Sequence, residues 1–504
     1  MSRYGQAGGG SGRAPAPYES VERALGLSRA DACVVIAEEH STVHLRWARN
    51  TLTTNGVTRA RTVTVIAVFG GARGAACGVV SRNAATPEEL EDLVRAAEAA
   101  ARAAGPAEDA VPLVEGVPPD PRFTAPPVVT SPSVFGTLAP ALGRAFARAG
   151  ARGRELYGYA RHSVLSTYLG TSTGLRLRHD QPSGTFTLNA KAPAPDGTTA
   201  SAWSGHSTRD FTELTEERLQ ALDDQLARRL EWSRRRVELP AGRYETLLPP
   251  TAVADLLVYQ TWSSSARNAA EGRTVFSAER GGTRVGERLT RLPLTLRSDP
   301  WAPGLESAPF LVAYASGGEA PSGGGPGGAP ASVFDNGLPL APTEWIREGT
   351  LTRLLTSRHS AALTGLPLAP AAGNLLLECA DDGRPAASLE APSLEAPSLE
   401  DMVAGTERGL LLTSLWYVRE VDPASLLLTG LTRDGVHLVE NGEVTGTVNN
   451  FRFNESPVDL LARATEAGRA ERTLSREWAE WFPLTSMPPL RVPDFNMSSV
   501  SRGV

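Results

Sequence analysis

Short apolar runs rich in β-branched residues recur along this 504-residue chain, and such runs read as strands. Near the start they fall at residues 32–38 (ACVVIAE), 44–52 and 61–69 (RTVTVIAVF), separated by turn material such as Asn55-Gly56, which predicts a meander. Strand patterns return over residues 155–191, around turns at 170–174 and 182–184. Beyond Pro240-Ala241-Gly242 the chain is strand-heavy almost throughout. Helices interrupt this pattern in a few places. A short one is predicted over 18–27, and Thr86-Pro87-Glu88-Glu89 is a strong helix start, with a threonine cap, a first-turn proline and a capping-box glutamate. Leu90, Leu93, Val94 and Ala97 then keep one face apolar to about Ala104. Further helices are expected within 133–151, 213–236, 251–264 and 400–409. The expected fold class is α+β. A flexible lead (1–17) precedes an N-terminal α/β region (18–240), and a β-rich C-terminal domain (241–504) follows.

A chain of 504 residues exceeds the size at which one core stops growing, so two or three domains are expected. With 41% hydrophobic and 21% charged residues it reads as a soluble globular protein. Its formal net charge of −6 comes without a basic block, which disfavours a nucleic-acid partner. No run approaches the ~18 apolar residues of a membrane span, and the opening residues lack the apolar core of a signal peptide. A cytoplasmic location with no membrane partner is expected. Lys191 is the only lysine, as a GC-rich coding bias gives. Cys33, Cys77 and Cys379 are odd in number and far apart, so neither a disulfide framework nor a cysteine zinc site is signalled. Residues 316–330 (SGGEAPSGGGPGGAP) have the composition of a flexible loop, and the five-residue repeat at 387–400 reads as an expanded surface loop.

Self-contained catalytic signatures are missing. No H-E-x-x-H or H-E-x-x-x-H occurs among the seven histidines. His40 and His44 would share a helix face, but Val-Val-Ile before them and Val-His-Leu-Arg-Trp around them suit strands. Gly170-Thr-Ser172-Thr-Gly174 matches the G-x-S-x-G pattern, yet the following Leu-Arg-Leu-Arg-His is a strand and not the helix a nucleophile elbow needs. Ser263 lies in an apparent helix with no histidine nearby, and no cysteine has a neighbour that marks it as activated. No glycine cluster opens a helix after a buried strand, so no phosphate cradle is expected.

Several segments in the second half, taken in order, resemble the TldD/PmbA metallopeptidase family. They include residues 273–277 (RTVFS), 282–289 (GTRVGERL), 294–300 (LTLRSDP), 333–340 (VFDNGLPL), 345–349 (WIREG) and 359–365 (HSAALTG). Residues 416–422 (WYVREVD), 428–435 (LTGLTRDG), 448–454 (VNNFRFN) and 493–497 (PDFNM) continue the likeness, and residues 45–56 resemble the family's start in its actinobacterial form.

In that family two homologous chains pair. One carries H-E-x-x-x-H and a late cysteine that hold zinc, while the TldE/PmbA-type chain lacks them. The resemblance places the zinc-binding helix at residues 250–260, which offer Asp255 but no histidine, and the cysteine position near Ser486-Met-Pro-Pro-Leu490. What the resemblance implies is a TldE/PmbA-type subunit, inactive alone, with no metal or catalytic residue of its own. Its partner would be a TldD-type zinc peptidase subunit, zinc the partner's cofactor, and small or unfolded peptides the substrate, in proteolysis or peptide natural-product maturation. Asp335, His359, Asn374, Arg433 and Asn450 sit in family-like segments as candidate cavity-lining residues. Two other function classes stand beside this one: an independent hydrolase with an unrecognised site, and a binding regulator with no peptidase partner.

Overall fold

The computed structural model of the chain describes residues 15–71, 74–83, 86–194, 197–315, 331–380, 396–433 and 435–501. The expected flexible lead lies almost wholly outside the described residues, as do the glycine-rich segment 316–330 and most of the repeat at 387–400. Among the described residues the fold is mixed α+β with three sheets.

The first sheet contains β1 (Ala32–Ala48), β2 (Thr51–Gly71), β3 (Gly74–Asn83), β4 (Glu155–Thr171), β5 (Arg176–Pro193) and β6 (Thr199–Thr208), in the order β3-β2-β1-β4-β5-β6. Short strands β7 (Arg236–Val237) and β8 (Gly242–Leu248) follow, then β9 (Leu294–Ser298), β10 (Thr343–Arg347), β11 (Thr350–Leu351) and β12 (Leu375–Cys379). The remainder are β13 (Arg408–Leu412), β14 (Trp416–Asp422), β15 (Leu427–Leu431), β16 (Val436–Glu440), β17 (Glu443–Val448), β18 (Phe451–Glu455), β19 (Glu466–Ala467), β20 (Glu471–Thr473), β21 (Thr485–Met487) and β22 (Leu490–Val500). The second sheet runs β11-β10-β9-β12-β21-β20. The third runs β14-β15-β18-β22-β8-β13-β16-β17-β7, with β19 pairing to β22 off this path.

The helices are α1 (Pro17–Leu27), α2 (Pro87–Ala103), α3 (Leu138–Ala151), α4 (Glu216–Trp232), α5 (Pro250–Trp262), α6 (Ala266–Ala270), α7 (Arg358–Thr364), α8 (Leu399–Ala404) and α9 (Pro457–Arg463). Two compact units divide the chain: Met1–His40, Arg59–Val128 and Leu165–His179 form one; Ser41–Thr58, Val129–Val164 and Asp180–Val504 form the other.

In the first unit, α1 and α2 bury Val21, Ala24, Leu90, Leu93, Val94, Ala97 and Ala101 in one cluster with Val35, Ala37, Val63, Val65 and Ala67 of the strands. The capping box at Thr86 forms as its residues predict. Glu89 N donates to Thr86 Oγ1 at 3.3 Å, and Thr86 N donates to Glu89 Oε2 at 2.8 Å. Gly78 on β3 allows α2 to lie directly on the sheet, since a Cβ there would stand 2.3 Å from Ala97 O and Ala101 N.

The second unit holds α3 and α4 against Trp47, Phe186 and Leu188. A buried fork ties the residue just before β4 to α4, with Arg154 Nη1 and Nη2 donating to Asp223 Oδ1 and Oδ2 at 2.6 and 2.9 Å. The larger core surrounds α5, and Leu248, Val253, Leu257, Trp478, Met487 and Leu490 are among its fully buried members.

Three sequence expectations change. The turn expected at Asn55-Gly56 is instead continuous strand within β2, and the chain reverses at Arg49 and Asn50, with φ of 50° and 59°. Asn50 is held there by its side chain, which accepts from Leu156 N at 2.7 Å and donates to Arg154 O at 2.8 Å. Gly56 has a different use, because a Cβ there would sit 2.6 Å from the His44 ring. The turn expected at 182–184 lies inside β5, where pairing with β6 begins at Gly184↔Thr208, so Pro182 stands outside that ladder. The helix expected over 400–409 ends at Ala404, and β13 starts at Arg408.

Candidate functional site

The α5 helix is the natural place to look for chemistry, since it runs through the centre of the larger core. Pro249 and Pro250 open it, which suits a helix start where N–H groups lack partners. Every residue from Ala252 to Gln260 is buried, so the helix is apolar on nearly all sides and shows no solvent face. Asp255 is its one carboxylate. Glu477 N donates to Asp255 Oδ1 at 2.9 Å, while Trp478 Nε1 donates to the Asp255 carbonyl at 2.7 Å. Burial pushes the Asp255 carboxyl well above the ordinary carboxylate range, against the pull of the Glu477 N–H.

Aromatic rings close over the same turn. Trp478 lies 5.7 Å from Tyr259 and 5.3 Å from Trp262 between ring centroids, and Phe482 stands 6.2 Å from Trp262. Ser486, at the position the resemblance gives to a zinc-subunit cysteine, is fully buried on β21. The Oγ of Ser486, the Oδ2 of Asp255 and the Oε1 of Gln260 are buried with no hydrogen-bond partner among the described residues. These residues do not fit a zinc ion. Zinc needs about three nitrogen, thiolate or carboxylate ligands, and α5 offers one carboxyl, raised towards its neutral form and already bonded. Among the described residues, no group of three or more His, Cys, Asp or Glu side chains is placed to hold a metal ion.

The other sequence candidates fall in separate places. His40 and His44 share strand β1, where a separation of four residues is about 13 Å along the chain, too far for one metal. Ser172 Oγ accepts from Cys33 N at 3.0 Å in the turn after β4. The Cys33 thiol is buried and pushed up to about 11, chiefly by that burial, so it stays protonated at neutral pH. Ser263 caps the end of α5.

Asp335 is fully buried and pairs with Arg358, taking its Nε at 2.6 Å and its backbone N–H at 3.0 Å. Asn374 is also fully buried. It accepts from Asp299 N at 2.9 Å and donates to Asp299 O and Leu305 O at 2.6 and 2.7 Å, fastening a loop. His359, next to Arg358, has a buried Nε2 with no hydrogen-bond partner among the described residues. The carbonyl of Asn450 accepts from Ser501 N at 2.8 Å.

Arg433 is placed differently. It lines a cavity of about 180 Å³ together with Trp203, Arg229, Ser414, His437 and Arg476. A second cavity, of about 340 Å³, shares Trp203, Arg229 and Thr413 with it and reaches Pro249, Pro250 and Thr251 at the start of α5. Arg218, Arg228, Arg469 and Arg472 also line this second space, with Glu400 and Glu471. A third, open trough of about 820 Å³ runs along β10 and β11 past Arg297, Glu344 and Arg347. Of the five residues expected to line a cavity, only Arg433 borders any of these three. Sequence reasoning passed over Arg229 and Arg476. They stand 247 positions apart (476 − 229), and an arginine on a charged helix reads as a solvated face until the fold sets it against Trp203.

Comparison with known proteins then decides the family. The family description "PmbA/TldA metallopeptidase C-terminal domain" matches residues 241–499, the central domain matches 82–234, and domain 1 matches 33–104. The chain belongs to the PmbA/TldD metallopeptidase family. Among solved structures it is similar to TldE from Thermococcus kodakarensis, with a TM-score of 0.71 at 15% identity over 95% of this chain and 98% of that one. A protein from Thermotoga maritima described as a candidate modulator of a DNA gyrase gives 0.68 at 17% identity, covering 95% of this chain and 99% of that one. Another so described, from Bacteroides thetaiotaomicron, gives 0.68 at 15% identity over 96% and 98%. No curated protein matches the chain. At such identities these structures speak for the PmbA/TldD fold alone. No helix among the described residues is long and apolar enough to cross a membrane.

Proposed function

We propose that this chain is the TldE-type, non-catalytic subunit of a heterodimeric zinc peptidase, paired with a TldD-type chain that supplies the metal. In this reading the partner carries out hydrolysis of small or unfolded peptides, while the present chain walls the shared cavity, limits entry to extended chains and stabilises the partner. One observation carries the reading. The helix the resemblance assigns to zinc binding has no imidazole, and its single acid, Asp255, is buried, bonded to Glu477 N and raised in pKa. A zinc peptidase needs a metal-bound water brought near neutral pKa, and this helix has no ligand set to make one.

The test is metal analysis and peptide turnover of the chain purified alone, then co-expressed with a family member bearing H-E-x-x-x-H. The chain alone is expected to carry far less than one zinc and to cleave nothing, whereas the co-purified pair carries zinc and turns over peptide. One tightly held zinc per isolated chain, with hydrolysis to match, would overturn the reading.

A further inference from the structure

We draw no further inference here: the strongest candidate, the outer edge of β2 over residues 51–58, which runs past the end of its pairing with β3 at Thr62↔Asn83 and is exposed at every position but Gly56, carries nothing because nothing in the structure shows what covers it.

Discussion

His437 shows how one buried side chain links the cavity to acid sensitivity. Burial first, and the charge of Arg229 second, lower its pKa from 6.5 to about 3. Below pH 6.5 the unfolded chain therefore binds a proton that the folded chain refuses. Stability from this group is complete above pH 6.5 and is lost progressively as pH falls towards 3, by a few kcal/mol at most. Equilibrium unfolding between pH 7 and 4 should show this slope, and His437→Gln, which cannot titrate, should flatten it. An unchanged slope in the variant would show that the acid sensitivity arises elsewhere. Asp255 sits at the opposite extreme. Because its carboxyl is raised well above the ordinary range, Asp255→Asn changes little charge and should alter stability by no more than about 1 kcal/mol. Trp478→Ala, which empties a packed aromatic site and removes the donor to the Asp255 carbonyl, should cost about 3–5 kcal/mol by denaturant titration.

Among the elements, α2 and β3 meet at a single glycine. A Cβ at Gly78 would stand 2.3 Å from backbone atoms of Ala97 and Ala101, and backbone cannot turn aside as a side chain tip does. Gly78→Ala should therefore destabilise by about 1–3 kcal/mol, whereas Thr86→Ala at the start of the same helix should cost about 1 kcal/mol through loss of the cap. Thermal melting of the pair tests that order. The fork between Arg154, just before β4, and Asp223 on α4 has its own signature. Arg154→Ala leaves Asp223 buried and uncompensated and should cost about 3–5 kcal/mol, while replacing both members by apolar residues of similar volume should cost much less.

At the scale of the whole molecule, the strand-rich character and the α2 capping box were legible, because they depend on neighbours within a few positions. The reversal at Arg49-Asn50 was not. Asn55-Gly56 is the stronger local turn signal, but Asn50 reaches Arg154 and Leu156, and those bonds hold the left-handed turn. A thiol count gives a molecular-scale check on the larger picture. Cys33, fully buried with its thiol raised to about 11, should resist a thiol reagent in the native protein and react once the chain is unfolded. Rapid native labelling of Cys33 would mean that this core opens readily.

The α+β class, the family likeness and the missing histidines on the helix at 250–260 can all be read from the residues in order, since each is a matter of residue type and short-range spacing. Packing in three dimensions is what seals Asp255 under Trp478 and turns Arg229, Arg433 and Arg476 towards one cavity. Such contacts join positions hundreds of residues apart. Burial, charge proximity and pKa are properties of what lies around a side chain, and no local pattern along the chain encodes those surroundings.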